Sequence, residues 1–296
     1  MKLRYYKLPK GERNFGDELN PWLWEKLIPG ILDEDASVAF VGIGSLINNG
    51  LPQKTRYARK IVIFGTGVGY GKGVPKIDGS YTIYCVRGLL SAQALGISEK
   101  LAITDGAVLI RQVFSNQSPK KYRFSYMPHY ELAGKGWETV CQKLGFGYID
   151  PRWSVEQVLS SISETEILLA EAMHGAIIAD ALRVPWLPIT TNSSILAFKW
   201  QDWCSSIGVE YQPIRMKRLH HPKESLDILT PFRTIRDWNR QKEAAQALKQ
   251  AALSRSPVLS KDSRLEMLTN QLEEKLQDFK KDVANGLFSC SEGFSP

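Results

Sequence analysis

The chain has 296 residues, more than a single hydrophobic core usually organises, and this length predicts two domains. Its 38 Lys and Arg residues against 31 Asp and Glu give a net charge of +7, which favours anionic ligands; the basic residues form no dense run, which argues against a nucleic-acid-binding protein. No stretch reaches the ~18 consecutive apolar residues of a membrane span, so none is predicted.

The cysteines and the first residues indicate the cellular compartment. Cys85, Cys141, Cys204 and Cys290 are scattered and form no C-x-x-C pair, which argues against a disulfide framework and against zinc. The N-terminal segment is charged and lacks the apolar core of a signal peptide. We therefore expect a cytoplasmic protein, either free or peripheral at the inner membrane surface.

The first half of the chain alternates short apolar runs with helical patterns. This pattern predicts strands near 2–8, 37–43, 60–65, 80–86 and 101–104, and helices near 17–28, 45–50 and 89–95. The sequence then turns polar around residues 112–121, which predicts an interdomain linker.

A second α/β series follows this linker. Its predicted strands lie at 123–127, 147–149, 167–170 and 186–189, and its helices at 137–144, 154–161, 173–182 and 195–207. Alternating strands and helices predict parallel sheets covered on both faces. We expect two Rossmann-like domains, residues 1–116 and 117–230, which face a cleft and bind ligands at the carboxyl ends of their strands.

Residues 231–296 are predicted to form a helical extension. Apolar residues recur there at steps of three and four, at Leu265, Leu268, Leu272, Leu276, Phe279 and Val283. Packing of this stripe on the body of the protein is the preferred interpretation, and self-association or a partner helix is the alternative. The Ser/Gly/Pro-rich end is expected to fray.

Three glycine-containing segments follow predicted strands. Asn14-Phe15-Gly16-Asp17 lies where the first strand meets a helix, and Asp17 can cap that helix. The segments around Gly44 and Gly67 suit loops whose N–H groups hold an anion, with tight turns as the alternative. Neither fits a dinucleotide motif. Asp33-Glu34-Asp35 precedes a strand rather than following one, so we interpret it as a solvated loop and predict no metal site.

His174 is the leading catalytic candidate. A buried strand ends and a helix begins at this histidine, and Gly175 follows it. The helix N-terminus disfavours imidazolium and a bound anion favours it, so His174 can move a proton or hold a phosphate oxygen. A structural histidine is the alternative. His129 ends the strand 123–127 and can face the same cleft, and Arg87, directly after strand 80–86, can bind a carboxylate or phosphate or form a surface ion pair.

In this order, the motifs resemble the polysaccharide pyruvyl transferase family, in particular its exopolysaccharide and succinoglycan-type members. The resemblance covers about residues 1–215. It is carried by Asn14–Asp17, Gly42–Gly44, Gly65–Gly69, Val86–Gly88, Thr104–Ala107, His129, His174–Ala179, Val184-Pro185, Phe198-Lys199 and Ile207-Gly208.

The resemblance implies a GT-B-like fold, phosphoenolpyruvate as donor substrate with no cofactor, and a pyruvate ketal formed on a sugar, free or lipid-linked. In this interpretation Arg87 binds the donor anion, His174 is the acid/base or phosphate ligand, and Asp17 orients or deprotonates the acceptor hydroxyl. The other expected substrate-binding residues are Asn14, Gly16, Gly44, Gly67, His129, Gly175 and Lys199.

The chain departs from the family pattern at two places. Many members carry Ser-x-Arg-x-His where this chain has Ala170-Glu171-Ala172-Met173-His174, and Val-Arg-Asp where Gly88 follows Arg87. Arg152, Lys199 or Arg111 are the candidate replacements for the missing arginine. Two alternative functions remain at this stage, a GT-B glycosyltransferase using a nucleotide sugar and a non-catalytic glycan-binding or scaffold protein.

Overall fold

A computed structural model describes residues 1–115, 118–192, 195–219 and 230–289. Within these residues the chain forms two sheets, and every strand pair in both is parallel. The first sheet has the order β1-β2-β3-β4, with strands Lys2–Arg4, Val38–Val41, Lys60–Phe64 and Tyr81–Cys85. The second has the order β6-β5-β7-β8-β9, with β5 to β9 at Tyr122–Met127, Gly147–Tyr148, Thr165–Ala170, Trp186–Thr190 and Ile214–Arg215. The predicted α/β class with two parallel sheets is confirmed.

Helices connect and cover the strands. Helices α1 to α9 span Phe15–Leu27, Leu51–Lys54, Leu89–Leu95, Lys135–Leu144, Val155–Ser163, Met173–Ala181, Ala197–Ser206, Thr230–Leu253 and Asp262–Ala284. Strand β2 is completely buried, as a strand covered by helices on both faces must be. Helix α5 begins with a capping box, in which Ser154 and Gln157 exchange side-chain and backbone hydrogen bonds.

Two predicted elements of the first half are wrong. Residues 45–50 form no helix; Ile47 makes an isolated bridge with Val68, and the short helix α2 begins at Leu51, where Pro52 favours the first turn. Residues 101–104 form no strand; pairing is limited to one bridge between Val86 and Ala102. The chain then enters the 3-10 helix Gly106–Gln112, whose first turn is capped by the side chain of Asp105.

The two halves meet through helices. Helix α1 of the first half contacts α5 and α6 of the second, and α3 contacts α7. The 3-10 helix Gly106–Gln112 packs on α6. These contacts bring the carboxyl ends of β1, β2 and β7 to one cleft. The predicted boundary between residues 116 and 117 lies outside the described residues.

The C-terminal helices return to both halves. Helix α8 packs on α4, and α9 packs on β4 and on the 3-10 helix. The apolar stripe of α9 is buried in the protein's own core, with the Phe279 ring centroid 5.3 Å from that of Phe40. Packing of this stripe on the body is therefore confirmed, and self-association stays a prediction. The end expected to fray, residues 290–296, lies outside the described residues. No helix within the described part of the chain is long and apolar enough to cross a bilayer.

Candidate functional site

A cavity of about 700 Å³ opens at the cleft between the two halves. Six of the residues predicted from the sequence line it: Asn14, Asp17, Gly44, His129, His174 and Lys199. They come from the start of α1, the loops after β2 and β5, the first turn of α6, and helix α7. The cavity thus lies where parallel-sheet proteins bind ligands, at the carboxyl ends of the strands.

The His174 ring, in the first turn of α6, packs directly on Gly16 of α1. A Cβ added at Gly16 would lie 2.1 Å from His174 Nδ1, and one added at Gly175 would lie 2.5 Å from the sulfur of Met127. Both glycines therefore let neighbouring groups approach where a larger residue would block them. They lie behind the cavity wall, and their predicted contact with substrate stays a prediction.

His174 Nε2 faces a buried carboxyl group. It lies 3.8 Å from Oδ2 of Asp105, a side chain with no exposed surface. Burial, together with the positive charges of Lys199 and Arg87, lowers the pKa of His174 to about 3. Burial raises the pKa of Asp105 to about 7. The two shifts favour a neutral imidazole next to a carboxyl group whose pKa lies near 7.

Arg87 lies within the wall of the cavity. Its side chain is completely buried; Nε donates to Asp202 Oδ2 at 3.0 Å, and the terminal nitrogens donate to Ser45 Oγ at 2.7 Å and to the Val68 carbonyl at 2.7 Å. Gly67 packs on the guanidinium, because a Cβ there would lie 2.3 Å from Arg87 Cζ. Arg87 thus joins both glycine loops to α7. Direct ligand contact by Arg87 and by Gly67 stays a prediction.

The departure at Gly88 has a steric reason. A Cβ at Gly88 would lie 2.2 Å from the backbone oxygen of Asp202, so the carboxylate-bearing residue that many family members carry after the arginine cannot fit here. Asp202 itself occupies this place from α7, where its carboxylate accepts hydrogen bonds from Arg87 and Ser91.

Asp17 places a carboxyl group in the cavity lining. It lies inside the first turn of α1, where the Asn14 side-chain amide donates to its Oδ2 at 2.7 Å. The expected capping role is therefore replaced by a contact with Asn14, the residue that precedes the helix. Burial raises the pKa of Asp17 to about 6. A carboxyl group with this pKa can accept a proton near neutral pH.

Lys199 is the best placed of the three candidate replacements for the missing arginine. Its Nζ donates to the Tyr70 hydroxyl at 2.8 Å, and it lines the cavity. Burial and the neighbouring Arg87 lower the pKa of Lys199 to about 8. Arg152 is held by both carboxylate oxygens of Asp150, and Arg111 donates to the Ala181 carbonyl; neither lines the cavity.

Sequence reasoning missed Glu171 and Lys54. The buried Glu171 carboxylate accepts from the His129 backbone N–H at 3.0 Å and from the Thr191 N–H at 2.7 Å, so it ties two cavity loops to the end of β7. Its place in the altered motif beside His174 was the available signal. Lys54, at the end of α2, adds a second lysine to the cavity lining. No motif marks Lys54, and the short helix α2 that carries it was not predicted from the sequence.

Comparisons with known proteins agree with these motifs. A sequence model of the family described as polysaccharide pyruvyl transferase matches residues 5–193. The chain is 41% identical, over 219 residues, to the succinoglycan biosynthesis protein ExoV of Rhizobium meliloti (strain 1021), a match that covers 73% of this chain and 68% of that protein. Among solved structures, the UDP-GlcNAc 2-epimerase of Methanocaldococcus jannaschii aligns with 90% of this chain and 80% of its own, with 10% identity and a TM-score of 0.44.

Proposed function

The chain belongs to the polysaccharide pyruvyl transferase family, and we propose that it transfers the pyruvyl group of phosphoenolpyruvate to a sugar of an exopolysaccharide as a ketal. One observation carries this proposal: His174, Asp17, Lys199 and Lys54 line the same cavity, which thus combines an imidazole and a carboxyl group with two lysines. A donor with a carboxylate and a phosphate needs cations, and the transfer needs one group to give a proton and another to accept one.

The proposed reaction has three steps. Protonation of the methylene carbon of phosphoenolpyruvate turns it into a methyl group and leaves an oxocarbenium-like centre at the neighbouring carbon. A sugar hydroxyl adds to this centre and loses its proton. A second hydroxyl of the same sugar then displaces inorganic phosphate and loses its proton, which closes the ketal. In this scheme His174 gives the first proton, and Asp17 accepts a hydroxyl proton.

Lys199 is proposed to bind the donor anion in place of the missing arginine. Only the ammonium form of Lys199 can bind the anion. The affinity for phosphoenolpyruvate is therefore highest below the Lys199 pKa of about 8, and it falls as the pH rises through this value. Lys199→Met is expected to weaken phosphoenolpyruvate binding by roughly 10- to 100-fold at pH 7, the effect of one charge-assisted hydrogen bond, and to remove most of the decline above pH 8.

Calorimetry between pH 6.5 and 9.5 measures both effects. Lys143→Met is the matched control, because Lys143 contacts Gln241 on the surface and does not line the cavity. An unchanged pH dependence in Lys199→Met would exclude this lysine as the donor ligand.

Gly16→Ala tests the placement of the His174 ring. The added methyl would lie 2.1 Å from Nδ1, so the ring must move. We expect kcat to fall by about 100-fold, as for a displacement of about 1 Å at a reacting group. The clash is also expected to destabilise the fold by about 1–3 kcal/mol, so rates are compared at a temperature where the variant is folded. Gly79→Ala is the control, because nothing lies within 4 Å of a Cβ at that position. Equal kcat values for Gly16→Ala and Gly79→Ala would contradict this placement of the His174 ring.

We place the reaction in the cytoplasm, with lipid-linked oligosaccharides at the inner membrane surface as one class of acceptor. In support, Cys85, Cys141 and Cys204 are free and buried, as in proteins of reducing compartments.

The test of the proposed function is phosphate release from phosphoenolpyruvate across a panel of polysaccharide repeat units. We expect release only with those acceptors whose hydroxyl pair the enzyme ketalises. Calorimetry distinguishes the proposed transferase from a non-catalytic glycan-binding protein, because only the transferase is expected to bind phosphoenolpyruvate. The absence of both binding and release would refute the proposed donor.

A further inference from the structure

Two buried polar atoms face each other behind the cavity. Among the described residues, neither Asp105 Oδ2 nor His174 Nε2 has a hydrogen-bond partner, and each is buried. They lie 3.8 Å apart, just beyond hydrogen-bond distance. Buried polar side-chain atoms nearly always have a partner, so two orphans directed at each other point to a bond that forms in another state of the site.

The surroundings hold both groups in this orientation. Asp105 Oδ1 accepts from the Ala107 N–H at 3.0 Å, which leaves Oδ2 to face the imidazole. The Asp105 loop is anchored by the hydrogen bond from Gly106 N–H to the Gly65 carbonyl at 3.2 Å. On the other side of the imidazole, Nδ1 packs on Gly16, whose neighbours Asn14 and Asp17 line the cavity.

We propose that Asp105 is a positioning residue that shares a proton with His174 Nε2 and thereby sets whether the imidazole can give or accept a proton at Nδ1. With Asp105 ionised and the imidazole neutral, Nε2–H donates to Oδ2, and Nδ1 has a free lone pair. One further proton gives the imidazolium–carboxylate pair, in which Nδ1 carries a proton that can be transferred. The predicted effect of Asp105 on catalysis rests on the proposed function, whereas the shared proton is independent of that function.

The charges around the pair agree with a proton that arrives with an anionic ligand. Burial, Lys199 of α7 and Arg87 after β4 act against imidazolium. Burial also raises the pKa of Asp105, whereas Arg87 lowers this pKa and Asp202 of α7 raises it. Asp17 of α1 faces Lys199 across the cavity. A bound anion offsets the two cations, which favours the imidazolium and the closing of the 3.8 Å gap.

The experiment compares the wild type with Asp105→Asn. Asparagine has nearly the same shape and retains an oxygen for the Ala107 N–H, but it cannot carry the charge or exchange the proton. The chain has four histidines, so the ring signals of His174 can be assigned in a ¹³C/¹⁵N NMR spectrum by their loss in His174→Gln. In the ligand-free wild type we expect these signals to titrate between about pH 6 and 8, and in Asp105→Asn to lose this step.

Kinetics give the second readout. We expect Asp105→Asn to lower kcat by roughly 10²–10⁴-fold, to change the KM for phosphoenolpyruvate less than about threefold, and to shift the pH profile of kcat. Asp180→Asn is the control, because Asp180 is also a buried carboxylate, at the far end of α6, bonded to Ser260 and Trp186. It is expected to lower stability without moving the His174 signals or the pH profile.

Either of two results would overturn the proposal: no titration step in the wild-type His174 signals, or a step that Asp105→Asn leaves in place. The first result needs only the wild type and the His174→Gln variant used for assignment, so it decides the matter even where Asp105→Asn does not fold. The NMR arm uses no donor. A wild type whose His174 signals show the titration step, but which releases no phosphate from phosphoenolpyruvate, would refute the proposed function. The shared proton would still be supported by this result.

Discussion

Replacing His174 with alanine is expected to lower kcat by roughly 10²–10⁴-fold, the effect of losing a general acid–base group. The proposed reaction begins with proton transfer to carbon, and the imidazole that would give this proton packs on Gly16 and faces Asp105. Because no described hydrogen bond to the imidazole is lost, we expect the circular dichroism spectrum to match that of the wild type.

His129→Ala is the comparison for this variant. His129 lines the same cavity, and burial and Lys199 lower its pKa to about 4, so it is expected to act as a neutral binding group. Its loss should raise KM more than it lowers kcat. Initial rates of phosphate release measure both variants. A His174→Ala enzyme with retained turnover would show that this histidine is structural.

Replacing Arg87 with alanine is expected to destabilise the fold by about 3–5 kcal/mol, the usual effect of removing one member of a buried ion pair. Both side chains of the Arg87–Asp202 pair have no exposed surface. Without the guanidinium, the Asp202 carboxylate stays buried with Ser91 as its remaining side-chain partner, and the loops at Ser45 and Val68 lose their link to α7.

Urea unfolding measures the loss in the free energy of unfolding. The double variant Arg87→Met, Asp202→Asn is the control for this measurement. Removing the unpaired charge should restore part of the stability lost in Arg87→Ala. Donor affinity is then measured by calorimetry at a temperature where the variant is folded. Wild-type stability together with lost phosphoenolpyruvate affinity would contradict a structural role and favour direct binding of the donor by Arg87.

The sequence was sufficient for the fold class and for the position of His174. Apolar runs followed by glycines mark buried parallel strands and their carboxyl ends, and a histidine at such an end is brought to the cleft by topology alone. Helix α3 was predicted with its observed bounds, Leu89–Leu95. The errors at 45–50 and 101–104 fall where one or two residues bridge to a neighbouring segment, a pairing that leaves no periodic signal.

The surroundings of the site could not be predicted in the same way. Arg87 and Asp202 are 115 positions apart, so nothing local indicated that the arginine is buried rather than facing a ligand. Asp105 and His174 likewise meet only through packing of the 3-10 helix on α6. The contact of Gly16 with the imidazole of His174 likewise joins α1 to α6 across the chain, and no local pattern indicates it.

The proposed function requires that this chain attach pyruvate to a sugar. Mass spectrometry can show this on a repeat-unit acceptor that is incubated with the enzyme and phosphoenolpyruvate and, in parallel, with nucleotide sugars. We expect the acceptor to gain the mass of pyruvate less one water with phosphoenolpyruvate, and to gain no mass with nucleotide sugars. A gain equal to a hexose residue with a nucleotide sugar, and none with phosphoenolpyruvate, would contradict the proposed function.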